Sequence, residues 1–452
     1  MGKVTGKVMQ KIKGIPAIVL ALAGSPGWGQ GVMQLSLKRA VDIALTPEGS
    51  ARVALAEQSV RLSETRVNQA RSAFFPNVDG TVQDRRQTVN LRTFGFDFQF
   101  PVPGFSIPSI VGPFTVFDAR AAAQANVLDF TVIRKYQASR SGLQAARADR
   151  NVSKDQVSEA VARAYLASLR EDAALQTARA NVELSQALLR LAQSQKDAGT
   201  GTGIEVTRAQ VQLANDQQRL TVAENNRRRA VLQLMRAMGL DLNTDVELTD
   251  KLTYEPVEVG AVEALLDAAR KGRSDLQAQK QHEQAARINY SAVEAERLPS
   301  VSAFGDYGTI GREIIGAHPT HTVGIQLKVP LFDGGRRASR RQESLAQIRQ
   351  EEIRTRDLGL QVELDVRLAL DSLRSAESQV QTARDGLMLA QSELEQAQRR
   401  YQAGVANSLE VTDAQTRLDR ARDNQIAALY SHNLARLELA AATGAIQEYV
   451  QK

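Results

Sequence analysis

The chain has 452 residues, of which 43% are apolar, 24% charged and only 5% aromatic, with 12 Pro and no Cys. The apolar share excludes a disordered chain and the low Pro count a fibre, while the lack of Cys removes disulfides, thiolate metal sites, cysteine catalysis and a lipid-modified cysteine. The formal charge of +6 looks basic, but four lysines fall in the first 30 residues, and without them it is +2, which weakens a nucleic-acid reading.

At the N-terminus, Lys3, Lys7, Lys11 and Lys13 precede a short apolar core, Ile15–Ala23, and then small and turn residues from Gly24 to Gly31. That order predicts a signal peptide over residues 1–30, cut after Ala23 or nearer Gln30, with a core too short to span a membrane. An amphipathic N-terminal helix is the alternative.

All 12 Phe lie between Phe74 and Phe130 or between Phe304 and Phe332. Phe94, Phe96, Phe98 and Phe100 recur at every second position, the period of a strand with one apolar face. Turn residues bound two extended segments, Phe75–Thr88 and Thr115–Phe130, joined through Pro101, Pro103, Pro108 and Pro113. From Thr131 to Asp197 there is no Pro and a single Gly, which predicts a helix of about 67 residues, roughly 100 Å long. Its apolar seam runs through Val157, Val161, Ala164, Leu175, Ala178, Val182, Ser185, Leu189 and Ala192. A Gly-containing break at Ala198–Gly203 then leads into a second helix, Glu205–Met238, so the pair forms an antiparallel hairpin with Gly199 left-handed past the first helix end.

The rest of the chain repeats this plan. Ala198-Gly199, Glu205-Val206-Thr207 and Ala209-Gln210 return as Ala403-Gly404, Glu410-Val411-Thr412 and Ala414-Gln415, every pair offset by 205. Upstream, Phe75-Pro76-Asn77-Val78 answers to Leu298-Pro299-Ser300-Val301 at an offset of 223. The second copy predicts strands at Ser300–Gly311 and Thr322–Phe332 around His318-Pro319, then a helix over Arg336–Gln402, a break at Ala403–Asn407 and a helix over Leu409–Thr443. Val362, Val366, Ala369, Leu373, Ala376, Val380, Ala383, Leu387, Ala390, Leu394, Ala397 and Tyr401 form a sustained heptad seam. Helices so thin in apolar bulk need neighbours on both sides.

The fold class is therefore mixed and mainly α: internally duplicated long helical hairpins with four β-strands. Four strands cannot close a barrel, and open edges are forbidden in a membrane, so closure falls to other chains; three chains would supply twelve strands. A water-soluble β domain capping an exported coiled-coil scaffold is the alternative.

No motif argues for an enzyme, a cofactor or a metal. Gly199-Thr200-Gly201-Thr202-Gly203 follows a helix rather than a strand, and reads as a hairpin turn rather than a phosphate loop. No acid–histidine cluster accompanies His318 and His321, or the solitary His282 and His432. Arg227-Arg228-Arg229 lacks interleaved aromatics and reads as a solvated face. Glu205, Glu410 and Asp413 lie just past the turns; in a ring of hairpins they would form acidic rings that favour cations. Acids at a helix N-terminus also complement its dipole, and position alone leaves both roles open.

Together, the signal, the duplicated hairpins and the strand pairs resemble the TolC-like outer-membrane efflux proteins. The most specific pieces are Leu298-Pro299-Ser300-Val301, Val329-Pro330-Leu331-Phe332-Asp333-Gly334-Gly335 and Tyr401-Gln402-Ala403-Gly404 running into Leu409-Glu410-Val411. The resemblance implies a homotrimer with a twelve-stranded barrel in outer-membrane lipid and a helical barrel crossing the periplasm, fed by an inner-membrane pump through a periplasmic adaptor. It implies a passive duct, with no nucleic-acid partner, whose cargo is set by the pump. It divides the chain into a first repeat at 31–240 (β-hairpin 75–130, helical hairpin 131–238) and a second at 241–452 (β-hairpin 298–333, helical hairpin 335–443). An equatorial region takes in Leu35–Leu45, residues 241–272 and the tail 444–452. Glu410 and Asp413 match the family's acidic gate rings; Glu205 and Tyr401 match partners in its inter-helix constraints. Gly199, Thr200, Gly201, Gly404, Val405 and Ala406 match its adaptor-contacting tips. Ala406 stands where the family pattern has an arginine, which implies closure by packing and the acidic rings alone. With no Trp beyond Trp28, any aromatic girdle relies on Phe and Tyr.

Overall fold

The computed structural model describes residues 33–95, 108–257 and 260–451. The expected signal segment lies outside them, as do Phe96, Phe98, Phe100, Pro101 and Pro103. In chain order the elements are β1 (Met33–Leu35), α1 (Leu37–Leu45), α2 (Ala51–Ser72), β2 (Asn77–Asn90), β3 (Ile110–Asp129), α3 (Phe130–Asp197), α4 (Gly203–Met238), β4 (Val246–Leu248), α5 (Val262–Gly272), α6 (Ser274–Ala295), β5 (Ser300–Gly311), β6 (His318–Lys328), α7 (Arg336–Gln402), α8 (Ser408–Thr443) and α9 (Ile446–Gln451).

The long helices form where Pro is absent and an apolar seam runs. Asp129 starts α3, its carboxylate accepting from the Thr131 and Val132 amides at 2.8 and 3.2 Å. Along α7 the heptad residues from Val362 to Tyr401 are buried, except Ala383 and Leu387, which are half-buried. Below the middle of the molecule the helices lie side by side in the order α4-α3-α8-α7; above it the order is α2-α3-α6-α7. The four-stranded sheet continues the upper row as β2-β3-β5-β6. The chain is thus a wall four elements wide from end to end.

Two of these helices, α2 and α6, go beyond the four long helical segments expected. Their sequences hid them: α2 buries only Val53 and Val60, and α6 buries Leu276 and four alanines, too little apolar bulk for a visible seam. Each completes a long line. Helix α4 ends at Gly239 (φ +78°), packed so closely on the Gly49 backbone before α2 that a β-carbon there would lie 2.4 Å from the Gly49 carbonyl oxygen. Helix α8 ends at Gly444 (φ +79°), where a β-carbon would lie 2.4 Å from the Gly272 carbonyl carbon, just before α6. Gly239 and Gly444 are separated by 205 residues, Gly49 and Gly272 by 223, so both offsets of the repeat meet at these two junctions.

The bulky core sits at this middle level. Strands β1 and β4 pair in parallel, and Leu35, Val41, Tyr165, Leu234, Met235, Met238, Leu437 and Ile446 cluster there with little or no exposure. Fully burying side chains of this size stabilises by about 2 kcal/mol each.

Near the helices the sheet has one mainly apolar and one mainly polar face, with Phe304 an exception on the polar side. The register places Val78, Val82, Ala119, Ala121, Ala123, Ala303, Tyr307, Val323, Ile325 and Leu327 on one side. Gln83, Asp118, Arg120, Gln124, Ser302, Asp306, Thr322 and Gln326 fall on the other, where Arg120 bridges Asp118 at 2.7 Å and Asp306 at 3.1 Å. Strand β3 starts at Ile110, not at Thr115 as Pro113 suggested. A register shift opposite Gln87 and Val89 lets the ladder step past the proline, which has no amide hydrogen to give. Phe94, expected in a strand, ends a short 3₁₀ turn, Leu91–Phe94. Among the described residues no helix is long and apolar enough to cross a membrane.

Candidate functional site

The two hairpin tips share one backbone. After α3, Gly199 takes φ +75° and the Thr200 amide donates to the Gln195 carbonyl at 3.0 Å; after α7, Gly404 takes φ +72° and the Val405 amide donates to the Arg400 carbonyl at 3.1 Å. Both are left-handed helix closures in which orphan carbonyls are satisfied by the turn itself. Gly199, Thr200 and Gly201 thus form a helix-to-helix turn. Val405 is 67% exposed, and Ile204 and Leu409, equivalent positions in the two copies, are exposed beside the turns.

The equivalent acids Glu205 and Glu410 are used differently. The Glu205 carboxylate accepts from the Thr202 amide at 2.9 Å and caps α4. At the second tip Asn407 caps α8 instead, accepting from the Leu409 and Glu410 amides at 3.1 and 3.2 Å. Glu410 is then free to meet Arg400 across the hairpin at 2.9 Å. Arg400 was missed in the sequence because it lies on the opposite helix. Ala406 offers Glu410 no charge, and the cation beside this acid comes from α7. Asp413 is exposed on α8, three residues past Glu410.

Tyr401 and Glu205 line one small cavity of about 30 Å³, together with Arg208, Ser408 and Gln415. Tyr401 is 7% exposed, and its hydroxyl, like that of Ser408, is buried without a hydrogen-bond partner among the described residues. Burial, helped by the Glu205 charge, raises the Tyr401 phenol above its ordinary value. The structure therefore brings Tyr401 to Glu205, while Glu410 pairs with Arg400 and Asp413 stands apart.

Farther from the tips, a polar network joins the hairpins. Asp216 on α4 is fully buried and takes hydrogen bonds from Ser185 on α3 and from Gln212 at 3.1 Å. Gln415 on α8 donates to Ser185 at 2.8 Å. Arg219 on α4 reaches Asp419 on α8 at 3.3 Å and lies 3.7 Å from Asp216. One arginine thus serves two buried carboxylates, and the second oxygen of Asp419 has no partner among the described residues. Burial, then the charge of Asp216, pushes Asp419 up to about 6. Beside it opens a cavity of about 650 Å³, lined by Glu171, Asn181, Arg420 and Asp423 among others. These residues break the repeat. Position for position the other copy has Ala390 for Ser185, Ala421 for Asp216 and Ala214 for Asp419, a departure that self-comparison of the sequence could have flagged.

The chain belongs to the Outer membrane efflux protein family, which it matches over residues 45–240 and 265–445. It is 28% identical over 426 residues to the pyoverdine export outer membrane protein OpmQ of Pseudomonas putida, covering 92% of this chain and 87% of the relative. It is 25% identical to the outer membrane efflux protein BepC of Brucella suis, covering 91% and 86%. In fold it is similar to the CmeC outer membrane channel of Campylobacter jejuni, with a TM-score of 0.74 at 15% identity over 92% of this chain and 89% of that one. The protein is an outer-membrane duct of a tripartite efflux or secretion system that extends into the periplasm and conducts passively.

Proposed function

We propose that three copies close this wall into a tube, with a twelve-stranded barrel in the outer membrane and a ring of twelve helical lines below. The observation that carries this is where apolar side chains are left uncovered. On the helices they concentrate at the two edges of the wall: Leu55 and Leu62 on α2, Val211, Val222 and Leu232 on α4, and Ile353, Leu360, Leu364, Leu368 and Met388 on α7. Interior helices α3 and α8 leave large apolar residues exposed only at their first turns, Phe130 and Leu409. Among the described residues, strands β2 and β6 are unpaired on their outer sides, a state lipid does not tolerate. A second copy would cover one edge with its own opposite edge, and cyclic repetition of that heterologous contact closes a ring in which both edges are covered.

In that ring the tips converge at the periplasmic end. Gly199, Thr200 and Gly201 with Gly404, Val405 and Ala406 would meet the adaptor, and exposed Ile204, Val405 and Leu409 offer it apolar purchase. Glu410 and Asp413 would form the acidic gate, and Tyr401 with Glu205 the contact that holds neighbouring helices closed. The pump, reached through the adaptor, selects the cargo; the relatives' roles run from pyoverdine export to alkaline protease secretion. Residues 1–30 would direct export, and 31–240 and 241–452 would be the two repeats.

The test is fractionation and bilayer recording. Trimers that fall apart in sodium dodecyl sulfate should appear in outer-membrane fractions and give single-channel currents. Recovery only as a soluble species would overturn the proposal. Asp413→Ala or Glu410→Ala should weaken block by multivalent cations; unchanged block in both would remove the gate assignment.

A further inference from the structure

Where strand gives way to helix, all four lines of the wall change character within a few residues. On the strand side lie exposed apolar residues: Phe74 and Phe75 before β2, Phe130 after β3, Leu298 before β5, and Leu331 and Phe332 after β6, the last two 90% exposed. Phe74 also packs edge-on against Tyr136 of α3, ring centres 5.6 Å apart. Immediately on the helix side each line carries an exposed cation: Arg71 on α2, Arg134 and Lys135 on α3, Arg297 after α6, and Arg336 on α7. Each lies within five residues of its apolar neighbour, at most about 7.5 Å along a helix.

Among the described residues none of these five forms an ion pair. The junction's own carboxylates are already engaged. Asp129 caps α3, Asp333 holds Arg337 at 2.7 Å, Glu296 holds Arg340 at 2.9 Å, and Glu294 lies 3.6 Å from Arg341. The belt is therefore a one-sign surface of long, flexible side chains directly beyond an apolar girdle. Water alone would solvate it, but a phosphate layer at that depth would be bound more tightly, because each cation could reach a headgroup while its stem lies along apolar surface.

We propose that this belt binds anionic phospholipid headgroups of the membrane leaflet nearest the helices. The inference rests on the barrel reading above. An interfacial cation contributes about a fivefold preference for anionic lipid, lost as salt screens it. The experiment is native mass spectrometry of the detergent-purified assembly titrated with dioleoyl phosphatidylglycerol or dioleoyl phosphatidylethanolamine. The wild type should retain phosphatidylglycerol at least about tenfold better. Arg71→Gln/Arg134→Gln/Lys135→Gln/Arg297→Gln/Arg336→Gln should abolish the preference. Arg71→Lys/Arg134→Lys/Arg297→Lys/Arg336→Lys should keep it.

The smaller variant Arg134→Gln/Lys135→Gln, away from the wall edges, should lower the preference severalfold and guards against a misassembled multiple mutant. A wild type without preference, or a preference unchanged in the neutralised variants, overturns the proposal; the first result would follow if a neighbouring copy's acids took these cations. A wild type that neither associates nor inserts into bilayers is a failure of the barrel reading instead, and is seen before lipid is added.

Discussion

The two hairpin tips are the same object in backbone and different objects in chemistry. Both turns close with a left-handed glycine and the same amide-to-carbonyl bond, yet Glu205 is spent on capping its helix while Glu410 is released to Arg400 because Asn407 does the capping. The same split recurs deeper in the hairpins, where Ser185, Asp216 and Asp419 stand opposite alanines in the other copy. Duplication preserves what the backbone requires, and side chains free of that requirement diverge to make the interface between hairpins.

The strongest test of backbone equivalence is at the far ends of the hairpins. Gly239→Ala and Gly444→Ala should each destabilise by roughly 3 kcal/mol or more, and by similar amounts, since both add a left-handed penalty to a clash with a neighbouring carbonyl. Thermal melts followed by circular dichroism would measure this; a tolerated alanine at either site breaks the equivalence.

Asp419 tests the divergence. Its carboxyl is raised to about 6 in the packed hairpins against 3.8 when solvated, so packing binds the proton more tightly. The penalty for ionised Asp419 is absent below the solvated value, grows between pH 4 and 6, and is constant above; acid therefore tightens the contact between hairpins. The expected swing is on the order of 2–3 kcal/mol. Asp419→Asn should flatten that part of the stability profile relative to wild type.

At the tips, Gly199→Ala and Gly404→Ala meet nothing within 4 Å and carry only the backbone penalty, about 1 kcal/mol each. A loss as large as at Gly239 would mean that the tips are packed against something in the folded monomer. Smallest in stability is Arg400→Ala, which removes an exposed pair contributing under about 1 kcal/mol. It frees Glu410, so block by multivalent cations in planar bilayers should strengthen; removing Arg208 at the first tip should leave the Glu410 charge, and hence that block, nearly unchanged.

Much of the wall was legible in the chain. A Pro-free run with a heptad seam marks α7 from Arg336 to Gln402, and glycines at equal offsets mark both tips. The alanine-rich α6 and the sparsely buried α2 were not legible, because their burial comes from neighbours rather than from bulk of their own. Pro113 hid the start of β3, since only the partner strand creates the register shift that accommodates it. Of the site, the acids beyond each turn could be picked out, but Arg400 could not, lying ten residues before Glu410 on the facing helix.

By itself the sequence determined periodicity, repeat and turn, because these depend on residues close along the chain: where helices can run, where glycine must end them, and which segments alternate. Only tertiary structure decided that Asp216 and Asp419 share one arginine, and that the two offsets of the repeat converge at glycine contacts. Those outcomes depend on distances between helices far apart in sequence. Dehydration at such contacts sets the energy of a charge, and no local pattern records it.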